Sequence, residues 1–295
     1  MYGYKYFNTG EQRLLQSWFT WELSGNVQYH TVLDDALYAV VRNGSNDVLQ
    51  KFDLKLSTET RTVTDDFDTT DTDDDIVYRV HLDNSKIITA GSLTYTTATD
   101  KTHFTKPDGF NVDTSDTTRK LVVYCHKADS TSGSSQAAQD SDLVGSYSEA
   151  SVNGSNIEWA GDWTDHDIIV GYLFDYEIEF PTFYYTQRHG DQWKSDINGS
   201  LVIHRAKINF GKNGLYTTTL KRKGKPDYVE TYEPSLADQY RANQIAMNEE
   251  YTQTVPIYDR NTNTTLTLNS THPSPATLHS MTWEGDFTNK FYQRV

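Results

Sequence analysis

Over most of the chain, apolar and polar positions follow the two-residue period of β-strands. Three such segments stand back to back in residues 4–56. Trp18, Phe19 and Trp21 make an aromatic segment over 18–23 that closes on Ser24 and Gly25. Residues 27–32 follow, the pair Asp34 and Asp35 makes a turn, and Leu37, Val40 and Val41 run into Asn43-Gly44 before residues 48–56. Aromatic and β-branched runs divided by Asn-Gly and Asp-Asp turns predict a β-meander.

The same pattern returns further on. Residues 76–82 alternate as a half-buried strand, 86–89 make a short one, and 121–126 another. Residues 168–171 and 173–180 read as two more strands. In the second, Asp175, Glu177 and Glu179 alternate with Phe174, Tyr176, Ile178 and Phe180, so one face is acidic and the other apolar. Residues 201–210 after Asn198-Gly199 and 215–220 after Asn213-Gly214 predict a second meander, and 264–268 with 278–283 close the chain. Between these lie polar stretches: 57–75, the Thr-, Ser-, Asp- and Gly-rich stretch 91–118, read as a loop-dominated insertion, and 127–142. One helix is predicted over 235–251, with Ser235 and Asp238 as a capping-box-like start after Pro234. The reading is a mainly β, antiparallel protein with long polar loops and at most one short helix. It falls into an N-terminal meander region 1–126, a loop or linker 127–156, and a C-terminal β region 157–295 with a surface loop or helix at 221–251.

Composition adjusts this picture in two ways. Hydrophobic residues are 36% of the 295, yet aromatic residues alone are 13%, which predicts an aromatic rather than aliphatic core. Asp and Glu number 41 against 26 Lys and Arg, a net charge of -15 that disfavours general binding to duplex DNA or to an anionic membrane. The start MYGYKYFNTG has no apolar signal core, and no apolar run is long enough to span a bilayer. With a single cysteine, Cys125, no intrachain disulfide forms, and its apolar run marks it as a buried small hydrophobe rather than a nucleophile. Three of the five N-x-[ST] sites are Asn-Gly-Ser and read as turn chemistry.

Candidate chemistry is sparse. Asp71, Asp73 and Asp75 alternate as in a calcium loop, but an EF-hand needs Gly after Asp75 and Glu at the loop's last position, where Ile76 and Leu82 stand. A solvated acidic loop is the reading, with a metal site as the alternative. Asp162, Asp165, His166 and Asp167 have the composition of a metal cluster and equally of turn and cap residues, which is preferred. The basic run 221–225 (KRKGK) is read as an exposed turn or an edge paired with an acidic neighbour, against a phosphate or nucleic-acid patch. No G-x-S-x-G, H-E-x-x-H, P-loop or G-x-G-x-x-G motif occurs, and no pair of carboxylates stands out as a catalytic pair. No catalytic residue, metal or cofactor is assigned. The alternative function is a glycan-degrading or glycan-binding β-rich protein, since such proteins combine carboxylates with aromatic platforms.

Three separated motifs carry a resemblance. The opening S-W-F-x-W-x-L, the following V-x-x-x-x-V-x-D-D-x-L-Y-x-V-V and the strand ending K-F-D-L resemble the tail tubular protein B family, the tail nozzle of short-tailed, podovirus-type bacteriophages. Ile169-Val170-Gly171-Tyr172 with Tyr176-Glu177-Ile178 and Pro181 is similar to that family's central V-G-Y…P strand pair. Pro275 with Trp283-Glu284-Gly285-Asp286-Phe287 is similar to its C-terminal P…W-E-G-x-[FY] ending. The resemblance implies a propeller-like antiparallel β fold and a non-enzymatic virion component at the end of a short tail. It further implies a ring of six copies below the adaptor or gatekeeper ring, contact with tail fibres, and duplex DNA passing only as cargo, without membrane insertion. Family members are longer and the motifs match their C-terminal portion, so a second nozzle polypeptide or a compact relative is expected. Trp18, Phe19, Trp21 and Trp283 are then expected in sheet or subunit packing. Asp71, Asp73, Asp75, Asp175, Glu177 and Glu179 are expected on an acidic channel or loop face.

Overall fold

A computed structural model of the chain describes residues 2–9, 12–23, 25–34, 36–43, 46–52, 61–63, 76–78, 80–108, 110, 120–128, 143, 145–189, 192–197, 199–234, 250–274 and 276–289. Every strand pairing in it is antiparallel, and the chain divides into two compact units, one of Met1–Phe174 with Ala242–Gln244, the other of Asp175–Arg241 and Ile245–Val295. The predicted helix 235–251 falls outside the described residues up to 249, as do Asp71, Asp73, Asp75 and Pro275.

The first unit opens with a hairpin, β1 (Tyr2–Thr9) and β2 (Gln12–Thr20). β2 starts well before the predicted aromatic segment and ends inside it, because the hairpin partner extends the ladder through the polar Gln12 to Gln16. The predicted meander follows as β3 (Asn26–Leu33), β4 (Ala36–Asn43) and β5 (Asn46–Phe52), paired in sequence order. Asn43 pairs with Asn46 at the end of the β4–β5 hairpin, and Asp34, at φ 49°, turns β3 into β4. Next come β6 (Arg61–Val63) with β7 (Ile76–Tyr78), then β8 (Asp83–Ile88), β9 (Thr94–Thr96), β10 (Lys101–Thr105), β11 (Leu121–Ala128), β12 (Tyr147–Glu149), β13 (Ser151–Asn153), β14 (Asn156–Ala160) and β15 (His166–Tyr172).

β13-β14-β10-β9 and β12-β11-β15-β8 form two sheets that share one core. Phe104, Ile157 and Trp159 enter it from the first sheet, Leu121, Val123, Cys125, Ile168 and Val170 from the second. Val122, Tyr124 and Ile169, on the opposite face of the second sheet, are also buried, and β6 lies against β11. The loop reading of 91–118 is corrected here. Residues 94–96 and 101–105 are strands, with Thr102 and Phe104 inward, and Phe110 is fully buried. Its many threonines signalled polarity, but Thr is also β-branched and suits a strand.

The second unit contains β16 (Tyr176–Glu179), β17 (Thr186–His189), β18 (Gln192–Ser195), β19 (Ser200–Asn213), β20 (Tyr216–Arg222), β21 (Tyr228–Tyr232), β22 (Tyr251–Arg260), β23 (Thr264–Ser270) and β24 (Ala276–Thr288). Sheets β16-β23-β20-β21 and β22-β19-β24 pack face to face on a common core, with β17–β18 as a separate hairpin. The predicted second meander does not form as such. β19 and β20 belong to different sheets, so Asn213-Gly214 carries the chain from one layer to the other. The V-G-Y…P pair is divided too: β15 and β16 lie in different sheets and different units. In 221–251, residues 228–232 form strand β21 at a sheet edge. The core of this unit encloses Ile203, Ile208, Leu220, Val255, Ile257 and Leu268 together with Phe210 and Tyr216, which stack at 4.2 Å, and most of its other aromatics lie at the rim.

Candidate functional site: aromatic packing and an acidic strand

The opening aromatics divide between two environments because alternate strand residues face opposite ways. Phe19 packs on Trp21 at 4.8 Å between ring centroids, and Trp21 stacks on Phe52 at 5.4 Å and 20°. Phe52 in turn lies against the small core of Leu23, Ala39 and Val41. These contacts tie the end of β2 to the meander. Trp18 points the other way, stacks on Tyr4 at 4.7 Å and is exposed.

The C-terminal motif acts on the register of the longest strand pair, β19 with β24. Trp283 packs at the rim of the second core, 6.3 Å from Phe183. Glu284 accepts hydrogen bonds from Arg205 at 2.6 Å and pairs with Lys207 at 3.3 Å. The Arg205 bond is the main reason its carboxyl is held below the usual range. Gly285 sits where β19 bulges between Ile203 and Arg205, and a Cβ there would overlap the carbonyl oxygen of Val202. Phe287 stacks on Tyr185 at 4.4 Å. The motif is therefore a packing and register device.

The central motif has a similar role. Gly171 lets β8 approach, since a Cβ would come within 2.8 Å of Leu82 Cβ, and the buried Tyr172 stacks on Phe110 at 5.7 Å. In β16, Tyr176 and Ile178 turn toward the second core, while Glu177 and Glu179 are exposed, with Asp175 exposed just before the strand. β16 is an edge strand, and its outward carboxylates continue across Asn269 and Thr267 of β23 to Thr217 and Thr219 of β20. An acidic edge resists pairing with a stray strand.

Asp162 and Asp165 lie in the connection that leads into β15, and His166 and Asp167 are the first residues of that strand. Asp162 Oδ1 accepts from Thr164 N at 3.1 Å and Thr164 Oγ1 at 2.7 Å, and Asp167 Oδ1 accepts from Ala90 N at 2.9 Å. Among the described residues no group of three His, Cys, Asp or Glu side chains is placed to hold a metal. In the basic run, Lys225 pairs with Asp259 at 2.8 Å and its N–H donates to the Arg222 carbonyl at 3.1 Å to close a turn, while Lys223 N–H donates to the Asn263 carbonyl at 2.9 Å. Cys125 is fully buried, and burial pushes its thiol pKa up, so it stays protonated.

A family model described as bacteriophage nozzle protein matches residues 1–294. The chain belongs to the bacteriophage nozzle protein family. No curated protein matches it. As a nozzle protein it is a structural component of the phage tail, carried in the virion, and it works in an assembly with other tail components. In this nozzle protein Trp21, Phe52, Tyr172, Trp283 and Phe287 from the three family-like motifs meet cores or ring partners, and Gly171 and Gly285 mark close strand approaches; none converges on a reactive centre among the described residues.

Proposed function

We propose that this nozzle protein builds, without enzymatic activity, part of the wall of the tail channel through which the genome leaves, as a ring of six copies. The ring docks below the adaptor or gatekeeper ring and beside tail fibres. A second nozzle polypeptide joins it in the assembly. The single observation that carries the channel reading is the acidic balance, a net charge of -15 with Asp175, Glu177 and Glu179 exposed. A carboxylate-lined wall repels phosphate, so DNA releases no counterions to it and slides without sticking.

The test is duplex DNA retention by the purified assembly as salt is lowered. The native protein is expected to retain none, whereas Glu177→Lys with Glu179→Lys is expected to gain salt-sensitive binding and, in particles, to slow ejection. Retention by the native protein at low salt, or a lumen lined by Lys and Arg, would refute the reading.

A further inference from the structure

Exposed apolar surface gathers at the N-terminal end of the chain. Tyr2 is 81% exposed, Trp18 74%, Tyr29 64% and Leu49 67%. They form two separate faces. On the β1–β2 hairpin, Tyr4 lies opposite Trp18 and Tyr2 lies one step along, an aromatic ladder on one side. On the meander, Tyr29, Val40 and Leu49 are direct cross-strand partners in a row spanning all three strands. A bulge between Val27 and Tyr29 turns Tyr29 away from the side that carries Val27 and Val41 into the core.

The two faces cannot cover each other within one chain. Trp21 fastens the end of the hairpin to Phe52, and Phe52 belongs to the meander's inner side with Val41 and Ala39. The outer row is left on the far side. A two-stranded hairpin is marginal in water by itself, so its exposed aromatic ladder calls for a partner. Each fully buried aromatic covers roughly 150–250 Å². At their exposures of 81%, 39% and 74%, Tyr2, Tyr4 and Trp18 supply roughly half of the about 800 Å² per partner of a standard interface.

Charge names the partner. On a chain of net charge -15, copies repel one another over most of their surface, but residues 1–52, which carry both faces, hold Lys5, Arg13, Arg42 and Lys51 against Glu11, Glu22, Asp34, Asp35 and Asp47, a net charge of -1. This near-neutral, apolar region is where two copies of this acidic protein meet at least electrostatic cost. We propose that the Tyr2, Tyr4 and Trp18 ladder of one copy docks on the Tyr29, Val40 and Leu49 row of the next. Such a contact joins unlike patches head to tail, the type that closes into rings. It rests on the ring reading and adds which surfaces meet.

Trp18→Cys and Leu49→Cys, both exposed positions, are made separately in the full chain, with distinct tags, and each is expressed alone and co-expressed with the other. After oxidation with diamide, non-reducing gels are expected to show a disulfide-linked pair carrying both tags from co-expression and none from either variant alone. Native mass of the unmodified protein is measured in parallel. Cross-linking of one variant with itself, at the level of the mixed pair, would show like-to-like contact and overturn the proposal. An assembled native protein with no cross-link in any sample would overturn these surfaces and leave the ring standing. A native protein that remains monomeric at every concentration would overturn both.

Discussion

His272 shows how much one side chain can depend on its surroundings. It is partly buried before β24, its Nδ1 lies 2.7 Å from Ser274 Oγ, and burial pushes its pKa down to about 4. The folded imidazole stays neutral where the unfolded one, titrating near ~6.5, takes a proton. Stability is therefore full above about pH 6.5 and falls as pH drops toward 4, since the unfolded state then binds the extra proton. His272→Gln is expected to flatten the melting temperature against pH across that window and leave it little changed at pH 8. An unaltered slope would count against this account. Nothing in the run Thr271 to Ser274 signals such burial, because it comes from the packing of distant strands. Residues whose role is local were legible: Asp162 as a turn former and Lys225 beside an acidic neighbour. In the second unit the core is aromatic in part: Phe210 and Tyr216 stack within it, while Tyr228, Tyr232, Tyr251 and Trp283 take the rim, where their polar edges keep access to water.

Between elements, the second unit contains a polar tie across its apolar core. Thr218 of β20 donates to Gln253 Oε1 of β22 at 2.8 Å, joining the two sheets where both side chains are buried. Thr218→Val leaves the buried amide oxygen without its donor, and the expected loss is about 1–3 kcal/mol in urea unfolding. Thr218→Val with Gln253→Leu removes both partners and is expected to recover part of that loss. Equal destabilisation by the single and double variants would contradict the tie. Most strands were legible from alternation, including β4, β11, β20, β23 and the acidic-faced β16. β1, β17, β18, β21 and β22 were not read, and neither was the strand content of 91–118, nor β6 within the stretch 57–75 and β12 and β13 within the expected linker 127–156. Threonine recurs in β9, β10, β21 and β22 among polar neighbours, so their composition reads as loop until a neighbouring strand supplies the ladder. Turn chemistry was also ambiguous: Asn43 ends a strand paired in a hairpin, whereas Asn213-Gly214 links two layers.

At the scale of the whole molecule, net charge sets the response to solution conditions. Fifteen excess negative charges repel one another in the compact state. Added sodium chloride shortens the Debye length from about 10 Å at 0.1 M toward about 3 Å at 1 M and screens that repulsion. The melting temperature at pH 7 is expected to rise with salt over this range, measured by differential scanning fluorimetry; a steady fall would mean that exposed pairs such as Arg205–Glu284 outweigh the repulsion. By itself the sequence determined the β character, the acidic surface, the inert cysteine and, through three short motifs, the nozzle family. These are set by local period, by side-chain chemistry and by counting, none of which needs distant residues to be placed. Tertiary structure alone decided that β15 and β16 part into different units, that Gly171 and Gly285 mark close strand approaches, and that a bulge turns Tyr29 outward. Strand partnership joins residues far apart in the chain, and a bulge reverses every face beyond it, so no local pattern contains the answer.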